Sequence, residues 1–434
     1  MNKEEVVVFW FRRDFRLEDN AGLFYALKNH KNVLPLFIFD REILDKLEEK
    51  RDGRVQFIHQ EIGRIKKQLN GFGSDIIVRY GSPLDIWKSL LEEYSILSVY
   101  ANEDYEPYAR LRDGKIADSL HNQNIELKKF KDHVIFEKSE VTKDDGDPYV
   151  VFTPYSRRWL AAFDAENFQP FENRKYFDSF FQFKTEPIPS IEEMGFESFD
   201  YDYPSRDVQT EVVDKYEERR DIPSVRGTSR LSVHLRFGTV SIRKLVAIAQ
   251  RHSEVWLKEL IWRDFYQMII WHFPHSAKDS FRPAYDKIPW RNNEVEFEAW
   301  CRGKTGYPIV DAGMRELNAT GFMHNRVRMI TASFLTKHLL IDWRWGEAYF
   351  AKKLLDFELA SNVGGWQWAS GSGCDAAPYF RVFNPDLQTK KFDPELTYIK
   401  KWVPEFQGMV YKPIVDHKMA RNRAIDTYKK ALNP

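Results

Sequence analysis

Residues 254–273, EVWLKELIWRDFYQMIIWHF, read as one long helix that is buried on most of its surface. Apolar side chains cover much of its circumference: Leu257, Leu260, Ile261, Phe265, Met268 and Ile269. Further helical patterns follow in the same half of the chain: 310–320, 323–340 and 345–357. The chain after residue 206 is therefore predicted to form an all-helical domain.

The first half of the chain alternates strand-like runs with helical patterns. Short apolar runs read as strands: VVVFWF (6–11), VLPLFIF (33–39), DIIVRY (75–80) and LSVYA (97–101). Between the second and third runs, apolar residues recur on one helical face: Ile58, Ile62, Ile65 and Leu69. This alternation predicts a parallel sheet with helical crossovers. No G-x-G-x-x-G or phosphate-binding loop follows the first run, so no motif names a ligand for this domain.

The region between these two halves is acidic, aromatic and proline-bearing, as in KDDGDPYVVFTPYS (143–156). Its weak periodicity suits a long connection that runs over a surface. A chain of 434 residues is long enough for two or three domains. We therefore predict an α/β domain at 1–131, an interdomain linker at 132–205 and a helical domain at 206–434.

The balance of 65 basic and 65 acidic residues hides an uneven distribution of charge. Residues 1–205 hold 29 basic and 38 acidic groups, whereas residues 206–434 hold 36 basic and 27 acidic groups. Ten of the 13 tryptophans also follow residue 250. A basic, tryptophan-rich half suits a nucleic-acid surface, although most buried tryptophans only pack cores.

Several classes of protein are disfavoured by composition. The mean hydropathy is −0.54, and neither an apolar run of membrane-spanning length nor a signal-peptide pattern is present, so a soluble cytosolic protein is expected. Cys301 and Cys374 are too few for a disulfide framework, and no Cys/His cluster has zinc or iron–sulfur spacing. Any redox chemistry is expected from a bound cofactor or from aromatic side chains, with no metal.

The long helix carries a polar and aromatic stripe made of Glu259, Trp262, Arg263 and Tyr266. Buried carboxylates are rare unless they have partners or a function. On spacing alone, Glu259 and Arg263 at i, i+4 are read as a structural ion pair, and a binding role is the alternative.

Two later segments carry further polar and flat side chains. Asn325, Arg328 and Met329 share one helical face, where an amide could read the edge of a base or a flavin. Residues 361–375 have no helix-forming pattern, and their glycines would let a ligand approach Trp366 and Trp368. Each signal is weak by itself.

Taken together, these segments resemble the photolyase/cryptochrome family. The resemblance rests on runs across essentially the whole chain: WFRRDFRLEDNAGL (10–23), GTSRLSVHLRFGTVS (227–241), WLKELIWRDFY (256–266), KTGYPIVDAGMRELNATGFMHNRVRMITASFLTKHLLIDWRWGE (304–347) and SNVGGWQWASGSGCDAAPYFRVFNP (361–385). It implies a Rossmann-like N-terminal antenna domain without a phosphate motif and FAD bound in a folded conformation in the helical domain.

The resemblance also assigns the cofactor site residue by residue. It implies pyrophosphate binding by Tyr216, Thr228, Ser229, Arg230, Leu231 and Ser232. It places around the flavin Trp256, Glu259, Arg263, Asn325, Arg328, Asp356, Phe357, Glu358 and Asn362. Asn362 would face the flavin N5, and Arg328 would pair with Asp356. Phe357, Glu358 and Phe322 depart from the Gly, Asp and Trp that are usual in the family.

Aromatic and DNA-binding positions follow in the same way. The resemblance implies an electron chain from the surface to the flavin through Trp290, Trp343 and Trp366. It implies a pocket for a flipped dimer formed by Glu259, Trp262, Asn325, Met329 and Trp368, and phosphate contacts from Arg220 and Arg326. Asn325 stands where (6-4) photolyases carry a histidine, so the chain is most similar to class I-type photolyases of cyclobutane pyrimidine dimers.

The activity implied is light-driven repair, in which excited reduced FAD gives one electron to the flipped dimer and recovers it after the ring opens. The partner would be double-stranded DNA bound by a monomer in the cytoplasm, associated with the nucleoid in a bacterium. A folate (methenyltetrahydrofolate) or a deazaflavin could serve as antenna, with Asn102, Glu103 and Lys278 resembling the folate contacts. The alternatives are a sensory cryptochrome, a DASH-type photolyase of single-stranded DNA, and a flavoprotein that only binds DNA or protein.

Overall fold

The computed structural model describes residues 3–408 and 412–432. These residues form two compact units. The first contains residues up to 137, 163–208 and 230–248, and the second contains 138–162, 209–229 and the described residues from 249 onward.

The first unit is built on a five-stranded parallel sheet: β1 (Glu5–Phe11), β2 (Val33–Asp40), β3 (Ile77–Gly81), β4 (Ser95–Asn102) and β5 (Glu126–Phe130). The strand order is β3-β2-β1-β4-β5, so the direction of winding reverses at β1. Every residue of β1 after Glu5 is buried, as expected for a strand covered on both faces. The four strands predicted from apolar runs are confirmed. The edge strand β5 escaped prediction because its sequence, ELKKF, is mostly charged.

Helices cross between these strands: α1 (Ala21–Asn29), α2 (Arg41–Leu44), α3 (Gly53–Asn70), α4 (Pro83–Glu93) and α5 (Pro107–His121). The predicted crossover between β2 and β3 is α3, and it buries Ile62, Ile65 and Leu69 against the unit. Asp52 caps this helix by accepting a hydrogen bond from the Arg54 backbone N–H. The α/β architecture expected from the alternation of patterns is therefore present.

A buried ion network ties distant parts of the first unit together. Asp132 accepts hydrogen bonds from Arg16 (2.6 Å) and Arg243 (2.8 Å), and Arg243 also binds Asp19 (2.7 Å). Burial opposes the charge of Asp132, but the two guanidinium groups outweigh it and lower the pKa of its carboxyl to about 2. Such a network stays charged because each ion has partners.

Helices dominate the rest of the chain, in the order α6 (Phe152–Ala162), α7 (Thr210–Asp214), α8 (Tyr216–Arg219), α9 (Ser232–Arg236), α10 (Ile242–His252), α11 (Glu254–His272), α12 (Glu294–Cys301), α13 (Pro308–Thr320), α14 (Asn325–Ser333), α15 (Trp343–Lys353), α16 (Leu359–Ser370), α17 (Pro385–Phe392), α18 (Thr397–Trp402) and α19 (His417–Leu432). A π-helical turn, Phe334–His338, continues α14. The predicted helices correspond to α11, α13, α14 with its π turn, and α15. Helix α11 is mostly buried, as its apolar circumference predicts.

The predicted linker contributes to both units. Its segment 138–162 belongs to the helical unit, where the Trp159 indole N–H donates to buried Asp264 at 3.0 Å. In the same unit, Phe152 stacks on Trp262 with ring centroids 3.7 Å apart. Aromatic side chains that looked like surface sequence are thus packing residues. Residues 230–248, which include α9 and α10, belong to the first unit rather than to the helical one.

The expectation that residues 361–375 lack a helix is wrong, because α16 spans Leu359–Ser370. Its sequence, LASNVGGWQWAS, is apolar or small on nearly every side, so no amphipathic period reveals it. A Cβ on Gly364 would lie 2.3 Å from the Tyr266 ring, so this glycine lets α16 approach α11 closely. Gly371 then ends the helix in the left-handed region, with φ at +90°.

Among the residues that the structure describes, none of the helices combines the length and the apolar character needed to cross a membrane.

Candidate active site

The polar stripe of α11 is held by partners on other elements. Glu259 forms an ion pair with Arg220, which directly follows α8. Arg263 pairs with Glu358 at 3.1 Å, and Ser361 also donates to Glu358 at 3.0 Å. The proposed i, i+4 pair therefore gives way to two pairs with distant residues. Glu358, one of the departures from the family pattern, is buried and closes the pair with Arg263.

The carboxyl of Glu259 is easier to protonate than an ordinary glutamic acid. Burial raises its pKa, Arg220 lowers it, and the negative charge of Asp221 raises it further, with an upward net shift. A carboxyl in this setting can donate as well as accept a hydrogen bond. This suits recognition of carbonyl oxygens on a base.

The ion pair expected between Arg328 and Asp356 is present. Arg328 Nη2 donates to Asp356 Oδ2 at 2.9 Å, and its Nε donates to the Met323 carbonyl oxygen at 2.7 Å. The second carboxylate oxygen, Asp356 Oδ1, is buried and has no hydrogen-bond partner among the described residues. An unpaired buried acceptor is costly unless a ligand supplies a donor. The site therefore fits a bound group with N–H donors, such as a flavin.

Asn362 is fixed in one orientation by Glu347, the last residue of the run 304–347 that resembles the family. Its side-chain nitrogen donates to Glu347 Oε1 at 2.8 Å and to the Glu347 carbonyl oxygen at 3.2 Å. Both amide hydrogens are thus used, so the carbonyl oxygen of Asn362 is left as an acceptor. Burial raises the pKa of Glu347, while the hydrogen bond from Asn362 lowers it. Sequence reasoning missed Glu347, because only the fold brings it beside Asn362.

The three tryptophans of the proposed electron chain differ in burial. Trp366 and Trp343 are almost fully buried and belong to one apolar core, whereas half-buried Trp290 packs against that core. Trp366 also meets the edges of Trp300 and Phe350, with ring centroids 6.0 and 5.0 Å apart. A path from buried to partly exposed indoles is what the prediction requires. Their role in electron transfer remains a prediction.

Residues assigned to the flipped dimer lie on three helices of the helical unit: Trp262 on α11, Asn325 and Met329 on α14, and Trp368 on α16. Asn325 is the first residue of α14 and is exposed, while Trp262, Met329 and Trp368 are half-buried. Phe152 covers one face of Trp262, with the two planes only 6° apart. The indole is therefore held in a defined plane.

The remaining residues assigned to the flavin are also in the helical unit. Trp256 is buried in the first turn of α11, and Phe357 packs against the same core as Trp343 and Trp366. Their contacts with a flavin remain predictions.

The pyrophosphate residues assigned by resemblance are divided by the two units. Tyr216, Thr228 and Ser229 belong to the helical unit, and the others, Arg230, Leu231 and Ser232, belong to the first unit. Gly227 allows a tight turn before Thr228, since a Cβ there would meet the Arg219 carbonyl oxygen at 2.4 Å. Anion binding by these residues stays a prediction.

The antenna residues of the first unit have structural partners. Asn102 accepts a hydrogen bond from the Gly22 backbone N–H and donates to Asn20, both at 2.8 Å. Glu103 pairs with Lys129 at 2.8 Å. Both side chains are almost fully buried, whereas Lys278 is exposed in the other unit. Folate contact by these residues remains a prediction, and Asn102 in addition locks the start of α1.

Comparison with known proteins agrees with this geometry. A family model described as DNA photolyase matches residues 7–175, and one described as the FAD binding domain of DNA photolyase matches residues 256–412. A deoxyribodipyrimidine photo-lyase of Synechococcus sp. is 36% identical, covering 94% of this chain and 90% of the relative.

Two solved structures share the complete fold. A class III photolyase of Agrobacterium tumefaciens has a TM-score of 0.87 and 32% identity, with 100% of this chain and 99% of that chain covered. A cryptochrome of Synechocystis sp. has a TM-score of 0.86 and 25% identity, with 98% of this chain and 100% of that chain covered. The chain therefore belongs to the photolyase/cryptochrome family.

Proposed function

We propose that this protein uses light to repair cyclobutane pyrimidine dimers in double-stranded DNA, with FAD as its cofactor. The observation that carries the proposal is the orientation of Asn362, whose side-chain nitrogen is held by Glu347. The carbonyl oxygen of Asn362 is left as the acceptor end of the amide, and it would favour a flavin protonated at N5. That is the reduced form on which dimer splitting depends.

What the bound reduced flavin supplies is one light-driven electron, which returns once the cyclobutane ring has opened. The residues of this chain bind and orient the dimer. Trp262, fixed in its plane by Phe152, and Trp368 offer flat faces to the two flipped bases. Asn325 supplies both a donor and an acceptor, and Met329 supplies an adaptable apolar wall. Extruding a damaged base costs less than extruding an intact pair, which contributes to selectivity.

Glu259 stabilises the negative charge that develops on the dimer carbonyl oxygens. Burial raises the pKa of Glu259, so its carboxyl takes up a proton more readily than that of an ordinary glutamic acid, and the protonated form donates a hydrogen bond. A donor already positioned where charge appears lowers the barrier without reorganisation. Arg220 holds the carboxyl in place before substrate arrives.

Replacing Glu259 by Ala is expected to lower the repair yield about tenfold, the worth of one hydrogen bond to a charged group. FAD content, measured from the flavin absorbance of the purified protein, should not change. Glu254→Ala is the matched control, because Glu254 lies on the same helix but is exposed and paired with Lys258. Full repair by Glu259→Ala would remove the assigned role.

The function itself is tested by illuminating the reduced protein with oligonucleotides that carry one defined lesion. Ultraviolet absorbance of the restored bases should recover on duplexes with a cyclobutane dimer and not on duplexes with a (6-4) photoproduct. A single-stranded oligonucleotide with the same dimer separates duplex repair from DASH-type activity. Recovery on none of these substrates would contradict repair and favour light sensing, the function suggested by the similarity to a cryptochrome.

We further propose that the protein acts as a monomer in the cytoplasm, on the nucleoid in a bacterium. The basic second half of the chain, with 36 basic and 27 acidic groups, supports attraction to DNA phosphates. A folate or a deazaflavin is the proposed class of antenna.

A further inference from the structure

Arg326, one of the two arginines assigned to DNA phosphates, already holds an anion in this structure. Its Nη2 and Nε donate to Asp221 Oδ1 at 2.7 and 3.2 Å. The guanidinium also lies over the Phe392 ring, 4.4 Å from its centroid, and contacts Met329 Sδ at 3.6 Å. Arg326 is therefore preoriented by apolar contacts and neutralised by one carboxylate.

Asp221 is the more exposed partner in its ion pair with Arg326. The Asp221 side chain is 42% exposed, against 17% for Arg326. An ion pair with one exposed partner is weak, because water screens it and rehydrates the released carboxylate. A phosphate group binds the planar guanidinium in the same forked geometry as a carboxylate. Asp221 can therefore leave Arg326 at low cost, while the arginine stays in place.

We propose that Asp221 is an affinity-setting residue, the internal anion that a DNA phosphate displaces from Arg326 when the protein binds. The proposal rests on the proposed function, because it takes Arg326 as a phosphate contact. Asp221 is one of 27 acidic residues in a half of the chain that also holds 36 basic ones, and a phosphate must compete with it for Arg326. Binding to any DNA is weakened by this competition, so weak non-specific complexes release sooner and the flipped dimer supplies the remaining affinity.

The test is Asp221→Asn, which keeps the size of the side chain and removes its charge. We expect about two- to fivefold tighter binding of both damaged and undamaged duplexes at low salt, since one partly exposed ion pair no longer opposes the contact. The gain should shrink as salt rises, and the plot of log affinity against log salt should steepen. Fluorescence anisotropy with a labelled duplex measures both quantities.

Asp214→Asn is the matched control for net charge. Asp214 also lies before α9 in the helical unit, is half-exposed, and pairs with His252 instead of an arginine assigned to DNA. Asp214→Asn should leave the affinity within about twofold of the parent, because Asp214 pairs with no arginine assigned to DNA and salt screens its charge. Asp221→Glu, which keeps the anion, should also behave like the parent protein.

Arg326→Gln tests the phosphate contact of Arg326 separately from its exchange with Asp221. If this variant binds DNA as tightly as the parent, Arg326 is not a phosphate contact, and both the phosphate assignment and the exchange are overturned. If Arg326→Gln weakens binding but Asp221→Asn does not tighten it, only the exchange is overturned. The double variant, Asp221→Asn with Arg326→Gln, should bind DNA no more tightly than Arg326→Gln alone. Tighter binding by the double variant would also overturn the proposal. An equal gain in affinity from Asp214→Asn would overturn it as well.

Discussion

Trp366→Phe is expected to abolish light-driven reduction of the bound flavin while leaving repair by chemically reduced protein nearly intact. Trp366 is buried in α16, in the same core as Trp343, and Trp290 packs against that core at partial exposure. Phenylalanine has no indole, so its radical is too costly to form and the path from the surface is interrupted at its inner end. Repair does not use this path, because the electron leaves the flavin and returns to it.

The measurement is the flavin spectrum during illumination of the oxidised protein with an external reductant. Trp345→Phe serves as control, because Trp345 packs against the same core but is not assigned to the chain. A loss of about 1–3 kcal/mol in the free energy of unfolding is expected for shrinking a buried ring, so both variants should remain folded. Normal photoreduction in Trp366→Phe would show that electrons reach the flavin by another route.

Gly364→Ala and Gly365→Ala are expected to change stability in opposite directions, although the two residues are neighbours in α16. A Cβ on Gly364 would lie 2.3 Å from the Tyr266 ring, whereas nothing lies within 4 Å of a Cβ on Gly365. Overpacking at residue 364 should cost about 1–3 kcal/mol in the free energy of unfolding. At residue 365, the better helix propensity of alanine should stabilise by up to about 1 kcal/mol.

Chemical denaturation of the two variants and the parent measures these differences. Because Tyr266 lies on α11 beside Trp262, Gly364→Ala should also weaken binding of dimer-containing DNA. Equal stability of the two variants would mean that α16 and α11 can separate without cost, contrary to the close approach seen at Gly364.

The helices and strands with a clear period were predictable from the sequence. The runs at 6–11, 33–39, 75–80 and 97–101 are strands, and 254–273 is a helix. Each could be predicted because its pattern of apolar residues reflects which side chains are buried in the core. Two elements, β5 and α16, lack such a pattern. The sequence of β5 is mostly charged, and α16 is apolar or small on nearly every side, so neither shows an amphipathic pattern.

The sequence motifs also located the candidate site, since they include Glu259, Arg263, Asn325 and Asn362. They could not assign partners. Spacing favoured a Glu259–Arg263 pair within one helix, whereas Glu259 binds Arg220 and Arg263 binds Glu358. A charged side chain pairs with whatever the fold brings within reach, and sequence spacing reports only neighbours along one element.

By itself, the sequence determined the α/β first part, the helical second part, the family and the identities of the chemical groups. Only the tertiary structure decided their use: Glu347 fixes which end of the Asn362 amide is free, Phe152 fixes the plane of Trp262, and Asp221 occupies Arg326. The physical reason is that periodicity and motif chemistry are local properties of the chain. Orientation, burial and ion-pair partners instead arise from contacts between residues that are distant in sequence.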